Sequence, residues 1–175
     1  MTTVVDTRKS DLLGEFGWFE DFTLGRKMRH SRSSTVDELE GSGIAKQVLN
    51  TADGHWNEHA ANGLANGRLV FGLATGSLVL GLSGFDTMEH ALAELRYDNL
   101  RFTAPVTHMD TITAYSEVID VQDSPEREDA GIVTFRHYGV RQDGVMVFSG
   151  ERTALIKRKA HWSNATVTGK AATNG

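Results

Sequence analysis

Cysteine is absent from all 175 residues. That excludes disulfides, thiolate nucleophiles and cysteine-based zinc sites together. No long hydrophobic run occurs either. The longest apolar stretch, Leu69 to Leu82, is 14 residues, short of the roughly 20 that cross a bilayer. A basic excess is missing too: net charge is −5 and the pI near 5.8, which argues against nucleic acid, whose phosphates need a basic face. The first residues, MTTVVDTRKSDLLGEFGWFEDF, hold acids throughout and no apolar core, so they do not read as a secretory signal. The expectation is a soluble, cytoplasmic protein with no nucleic-acid or membrane partner.

What is present suits one domain with a sizeable core: 39% apolar and 23% charged residues in a chain of this length. Residues 1–16 are polar and aperiodic and read as a loose arm; 17–158 form the domain, and 159–175 read as a frayed tail. Within the domain, GWFEDFTLG (17–25) is aromatic enough to tuck against the body as a lid or edge segment. Residues 26–35 read as a first strand. Thr35-Val-Asp-Glu38 has capping-box spacing and predicts a helix running to about Leu49, weakened by Gly41 and Gly43. The stretch 50–66 has no clear period. Residues 69–82 are apolar on every side, so a helix there needs cover on every face. Four strand-like runs come after it, over 94–102, 111–121, 131–140 and 145–156. The last two are joined by Gln142-Asp143-Gly144, a hairpin signal. A helix followed by a meander implies an α+β fold in which one antiparallel sheet curves around a central apolar helix. A single sheet covers only part of such a helix, and a second copy is the simplest source of the rest, so a homodimer is expected.

The chemistry concentrates in ADGHWNEH, residues 52–59, beside the apolar helix. Asp53 before Gly54 also suits a plain turn, and His55 and His59 both offer an imidazole. Four apart, the two histidines would share one face of a helix, but Gly54 and the missing helical period argue against a metal site. No Gly-x-Ser-x-Gly elbow, P-loop or dinucleotide fingerprint occurs.

Three stretches together resemble the MaoC-like branch of the hot-dog fold, which includes the R-specific enoyl-CoA hydratases. GRLVFGLATGSL (67–78) resembles the Gly-rich entry into that family's central helix. LRYDNLRFTAPVTHMDTITAYSEV (95–118) resembles its next strand pair. ADGHWNEH stands where the family carries Asp-x-Asn-Pro-x-His, although here Glu58 lies five residues after Asp53, His59 lies six after it, and there is no proline. The resemblance implies a hydratase or dehydratase acting at the α,β double bond of an acyl thioester, with coenzyme A or an acyl-carrier protein as part of the substrate. No dissociable cofactor and no metal are implied, because water is the co-substrate. It implies Asp53 and His59 as the acid–base pair, with His55 as the rival imidazole. Asn57 would orient a side chain or the substrate. The backbone amide of Gly72, at the helix start, would hold the thioester oxygen where a Cβ would obstruct it. A hot-dog thioesterase, with Asp53 or Glu58 activating water, and a non-catalytic acyl-thioester binder are the alternatives.

Overall fold

The computed structural model describes residues 16–60 and 67–162. The expected arm is outside them except for Phe16, and so is the tail beyond Trp162. Five strands, β1 (Lys27–Thr35), β2 (Ala91–Phe102), β3 (Thr111–Asp123), β4 (Ala130–Arg141) and β5 (Met146–Lys157), form one antiparallel sheet in the order β1-β3-β4-β5-β2. It curves around a 16-residue helix, Gly72–Thr87. This is the hot-dog arrangement, a sheet wrapped on a central helix.

Two-residue alternation sets the sheet's inner face. On β3, Ile112, Ala114, Ser116 and Val118 are buried while their neighbours are half-buried, as a strand with one face on a core requires. The β4–β5 hairpin closes at Gln142-Asp143-Gly144, where Gly144 adopts φ +85° and the Asp143 carboxylate accepts the Val145 N–H at 3.2 Å. Positive φ favours glycine at that corner. On β5, the Phe148 ring fills the space a side chain at Gly76 would take: a Cβ there would sit 2.9 Å from the ring. The glycine lets helix and sheet close up, and burying that one phenyl contributes roughly 2–3 kcal/mol.

Between helix and sheet the core divides in two. Val79, Ile112, Ala114, Val147 and Phe148 belong to one apolar cluster, and Phe19, Phe22, Val118, Phe135 and Ile156 to the other. The aromatic segment at 17–25 is therefore part of the second cluster, with Trp18, Phe19 and Phe22 buried. Across the interior runs a polar layer. His30 bonds Asp86 at 2.6 Å and the Ser116 hydroxyl at 2.7 Å; Ser116 bonds His137 Nδ1 at 2.6 Å. Arg152 then donates to His137 Nε2, Glu94, Ser83 and Thr87 at 3.0–3.2 Å.

Two expectations need correction. The first helix does not start at Thr35. Thr35 closes β1 with its hydroxyl against that of Thr111 at 2.8 Å, because the threonines face each other across the strand pair. The reciprocal cap forms two residues on: the Asp37 carboxylate accepts Leu39 N–H at 2.7 Å and Glu40 accepts Asp37 N–H at 3.2 Å. A π-type turn, Leu39–Gly43, comes next, and then a single α-helical turn, α1 (Ile44–Gln47). The loose geometry suits a segment with two glycines. The central helix, α2 (Gly72–Thr87), extends five residues past Leu82 and is not buried all round. The sheet covers the face bearing Ala74, Thr75, Gly76, Val79, Ser83 and Thr87, while Leu73 and Phe85 are 50% and 62% exposed on the other. One sheet can cover only one side of a cylinder.

Candidate active site

Residues 52–60 fold as two short 3₁₀ turns, Asp53–His55 and Glu58–Ala60. In the first, the Asp53 carbonyl accepts the N–H groups of Trp56 and Asn57, each at 2.9 Å. Asn57 closes the second as an Asx turn, its side-chain oxygen accepting the His59 N–H at 2.9 Å. The extended pair Leu69–Val70 links these turns to the body. Leu69 N–H donates to Gly54 O at 2.9 Å, and Val70 N–H donates to Val106 O at 2.8 Å. Arg68 anchors the same region from outside. Its guanidinium is bidentate to Glu38 and also bonds Glu58 at 3.1 Å, and it holds the Glu38 carboxyl down to about 2. Glu58 is thereby an anchor of the overhang.

These bonds bring the first turn against the start of α2. The His55 ring nitrogen Nδ1 lies 2.7 Å from Leu69 O. A carbonyl only accepts, so Nδ1 carries a proton, and in the unprotonated ring Nε2 is the nitrogen left to act as a base. The ring lies 5.8 Å from that of Phe71, the residue before the helix. His55, Gly72, Thr75, Phe102 and Val147 line one cavity of about 370 Å³, walled also by Thr103–Val106. Phe71 offers no capping side chain. The first amides of α2 therefore point towards the cavity's end of the helix with no helical acceptor, carrying the partial positive charge of the dipole.

Of the expected site residues, His55 and Gly72 meet at this cavity. Asp53, Asn57 and His59 are exposed on the overhanging turns and are not among its walls. Gly72 makes its close approach to Phe102, whose ring would lie 3.1 Å from a Cβ. Phe102 thus forms a wall over the helix start and is itself 46% exposed. Among the described residues no three His, Asp or Glu side chains converge as metal ligands. Sequence reasoning did not single out Thr75 or Phe102. Thr75 carried a signal: it is the one hydroxyl in the first turn of α2.

With this geometry in hand, similarity to known proteins is informative. A family model described as mesaconyl-CoA hydratase matches residues 19–158. A mesaconyl-CoA hydratase of Haloarcula marismortui is 36% identical over 151 residues, covering 81% of this chain and 42% of the relative. A beta-methylmalyl-CoA dehydratase of Chloroflexus aurantiacus is 32% identical over 118 residues, covering 67% of this chain and 34% of the relative. Among solved structures, a MaoC domain protein described as a dehydratase, also from Chloroflexus aurantiacus, superposes with a TM-score of 0.74 at 27% identity, covering 81% of this chain and 44% of that one. The chain spans less than half the length of these relatives.

Proposed function

The chain belongs to the mesaconyl-CoA hydratase family, with MaoC-like hot-dog architecture, and on that premise we propose that it hydrates, or in reverse dehydrates, the α,β double bond of an acyl thioester carried on coenzyme A or an acyl-carrier protein. The observation that carries the proposal is the meeting of the His55 imidazole, held by Nδ1 to Leu69 O, with an uncapped helix start at one cavity.

The chemistry follows from the geometry. The thioester oxygen accepts hydrogen bonds from the amides at the start of α2, Gly72 first. The helix dipole favours the negative charge that gathers there as the enolate forms. His55 Nε2 takes a proton from water as the water oxygen bonds the β-carbon, and the imidazolium so formed returns that proton to the α-carbon of the enolate. Asp53, two residues before His55 in the same 3₁₀ turn but exposed outside the cavity walls, is the candidate carboxylate partner that Asp53→Asn tests. His59 and Asn57 remain as groups that complete the overhang once substrate is seated. The atom count closes: water adds across the double bond and nothing leaves.

A homodimer fits the surfaces left open. The edge strand β2 exposes Leu95, Tyr97, Leu100 and Phe102, and the outer face of α2 exposes Leu73 and Phe85. Where exposed apolar side chains gather on one face they mark association surfaces. No helix among the described residues is long and apolar enough to cross a membrane, and the cytoplasm is the proposed compartment.

The test is direct. Purified protein with crotonyl-CoA is followed for loss of the enoyl absorbance and, separately, for free thiol. Loss without thiol supports the hydratase, and thiol release replaces it with a thioesterase. His55→Gln, His59→Gln and Asp53→Asn then assign the proton carriers. Full activity in His55→Gln with loss in His59→Gln would move the imidazole role to His59.

A further inference from the structure

Among the buried hydroxyls of α2, Thr75 behaves differently from the others. Ser83 donates to Leu80 O at 2.8 Å and Thr87 donates to Ser83 O at 2.7 Å, the usual return bonds to the preceding turn. Both also accept from Arg152. Thr75 is 3% exposed. Phe71 O is its natural acceptor four residues back, but there only the Thr75 backbone N–H bonds, at 3.1 Å. Among the described residues the Thr75 hydroxyl makes no hydrogen bond, and its oxygen is not among the polar atoms sealed off without a partner; Thr75 lines the cavity at the helix start. A hydroxyl that opens on a cavity and has no protein partner is available to an acceptor that enters it.

Direction narrows what arrives. Helical side chains lean towards the N-terminus and cover the turn before their own Cα. Thr75, three residues after Gly72, therefore leans over the first turn, on the side where the Gly72, Leu73 and Ala74 amides lack helical acceptors. The remaining walls near it are apolar: Val70, Phe102, Val106 and Val147. An oxygen held by the helix-start amides is the acceptor this arrangement lacks.

We infer that the Thr75 hydroxyl is a second hydrogen-bond donor, beside the Gly72 amide, to the thioester oxygen bound at the start of α2. The inference rests on the placement of the thioester proposed above. Thr75 transfers no proton. It donates one hydrogen bond, which strengthens as the carbonyl becomes an enolate, so its effect falls on the chemical step.

The experiment compares wild type, Thr75→Val and Thr75→Ser. Valine keeps the shape without the hydroxyl, and serine restores the hydroxyl. With crotonyl-CoA, Thr75→Val is expected to lower kcat by about a hundredfold to a thousandfold, as the loss of one oxyanion donor does, with KM changed by less than about twofold. Thr75→Ser should recover most of the lost rate. A readout without turnover uses acetoacetyl-CoA, which can bind as its enolate and then shows the enolate's near-ultraviolet band. That band should weaken in Thr75→Val and return in Thr75→Ser. A Thr75→Val protein with unchanged kcat and enolate band overturns the inference. So does a loss confined to KM, or a Thr75→Ser protein as impaired as Thr75→Val. If wild type does not hydrate crotonyl-CoA but binds the acetoacetyl-CoA enolate in a Thr75-dependent way, the inference stands and the hydratase reading falls. If wild type does neither, both fall.

Discussion

The two ends of α2 set their polar side chains in different surroundings. At the C-terminal end every member of the layer Asp86–His30–Ser116–His137–Arg152 has its partner. The directions close as well. Arg152 Nε only donates, so His137 accepts at Nε2 and carries its proton on Nδ1, which donates to Ser116. The Ser116 hydroxyl can then donate to His30 Nε2, and His30 Nδ1–H to Asp86. At the N-terminal end Thr75 and the first amides have no such partners, and a cavity takes the place of a protein group. A hydrogen-bonded polar layer fixes how helix and sheet register; polar groups that open on a cavity are available to a ligand. Substitutions at the first end should therefore change stability, and at the second, rate.

The largest effect expected is on rate. His55→Gln should lower kcat for crotonyl-CoA hydration by about 10²- to 10⁴-fold, the usual worth of a positioned acid–base group, while the urea midpoint stays close to wild type. A His55→Gln protein as active as wild type but much less stable would put the imidazole on the structural side of the comparison. The counterpart at the other end is Arg152→Ala. This guanidinium is 3% exposed and has four partners. Removing it leaves His137, Ser83 and Thr87 short of a donor, at a cost of about 3 kcal/mol, read from urea unfolding.

Acid sharpens the contrast. Burial, with the Arg152 charge beside it, holds the His137 pKa well below the ordinary 6.5. The unfolded chain therefore takes up a proton at that histidine below about pH 6.5 while the folded chain does not. Stability is full above that pH and falls as pH drops, by up to about 1.4 kcal/mol per pH unit from this group, until the folded pKa is reached. His137→Gln should flatten that slope in unfolding measurements between pH 6.5 and 5. An unchanged slope would assign the acid sensitivity elsewhere.

The same contrast between the two ends explains which features were legible in the sequence. The strands were legible because apolar residues recur every second position, as at Ile112, Ala114 and Val118, and their ends fell within three residues of those observed. The helix start at Gly72 was legible from its glycine-rich entry. The polar layer was not. Its members come from β1, α2, β2, β3, β4 and β5, and each looks like an isolated polar residue on an inward parity. Ser116 between Ala114 and Val118 was such a flag. The choice between His55 and His59 was also hidden, because what brings His55 inward is a bond to Leu69 O, fourteen residues away. Capping-box spacing fitted Thr35 and Asp37 equally, and only the pairing of Thr35 with Thr111 decides between them.

The smallest effect tests whether the outer face of α2 differs from the inner one as the packing says. Gly76→Ala would put a Cβ 2.9 Å from the Phe148 ring, an overpacking worth about 1–3 kcal/mol of lost stability. Gly81, five residues along the same helix, has nothing within 4 Å of the Cβ it lacks and is exposed. There alanine meets open space, and its better helix propensity should add about 0.5–1 kcal/mol. Opposite signs at two glycines of one helix, measured by urea unfolding of dilute protein, would follow from a sheet that covers one side only. If Gly81→Ala were destabilising as well, and increasingly so at higher protein concentration, the outer face would be covered by a second copy that approaches Gly81 as closely as Phe148 approaches Gly76.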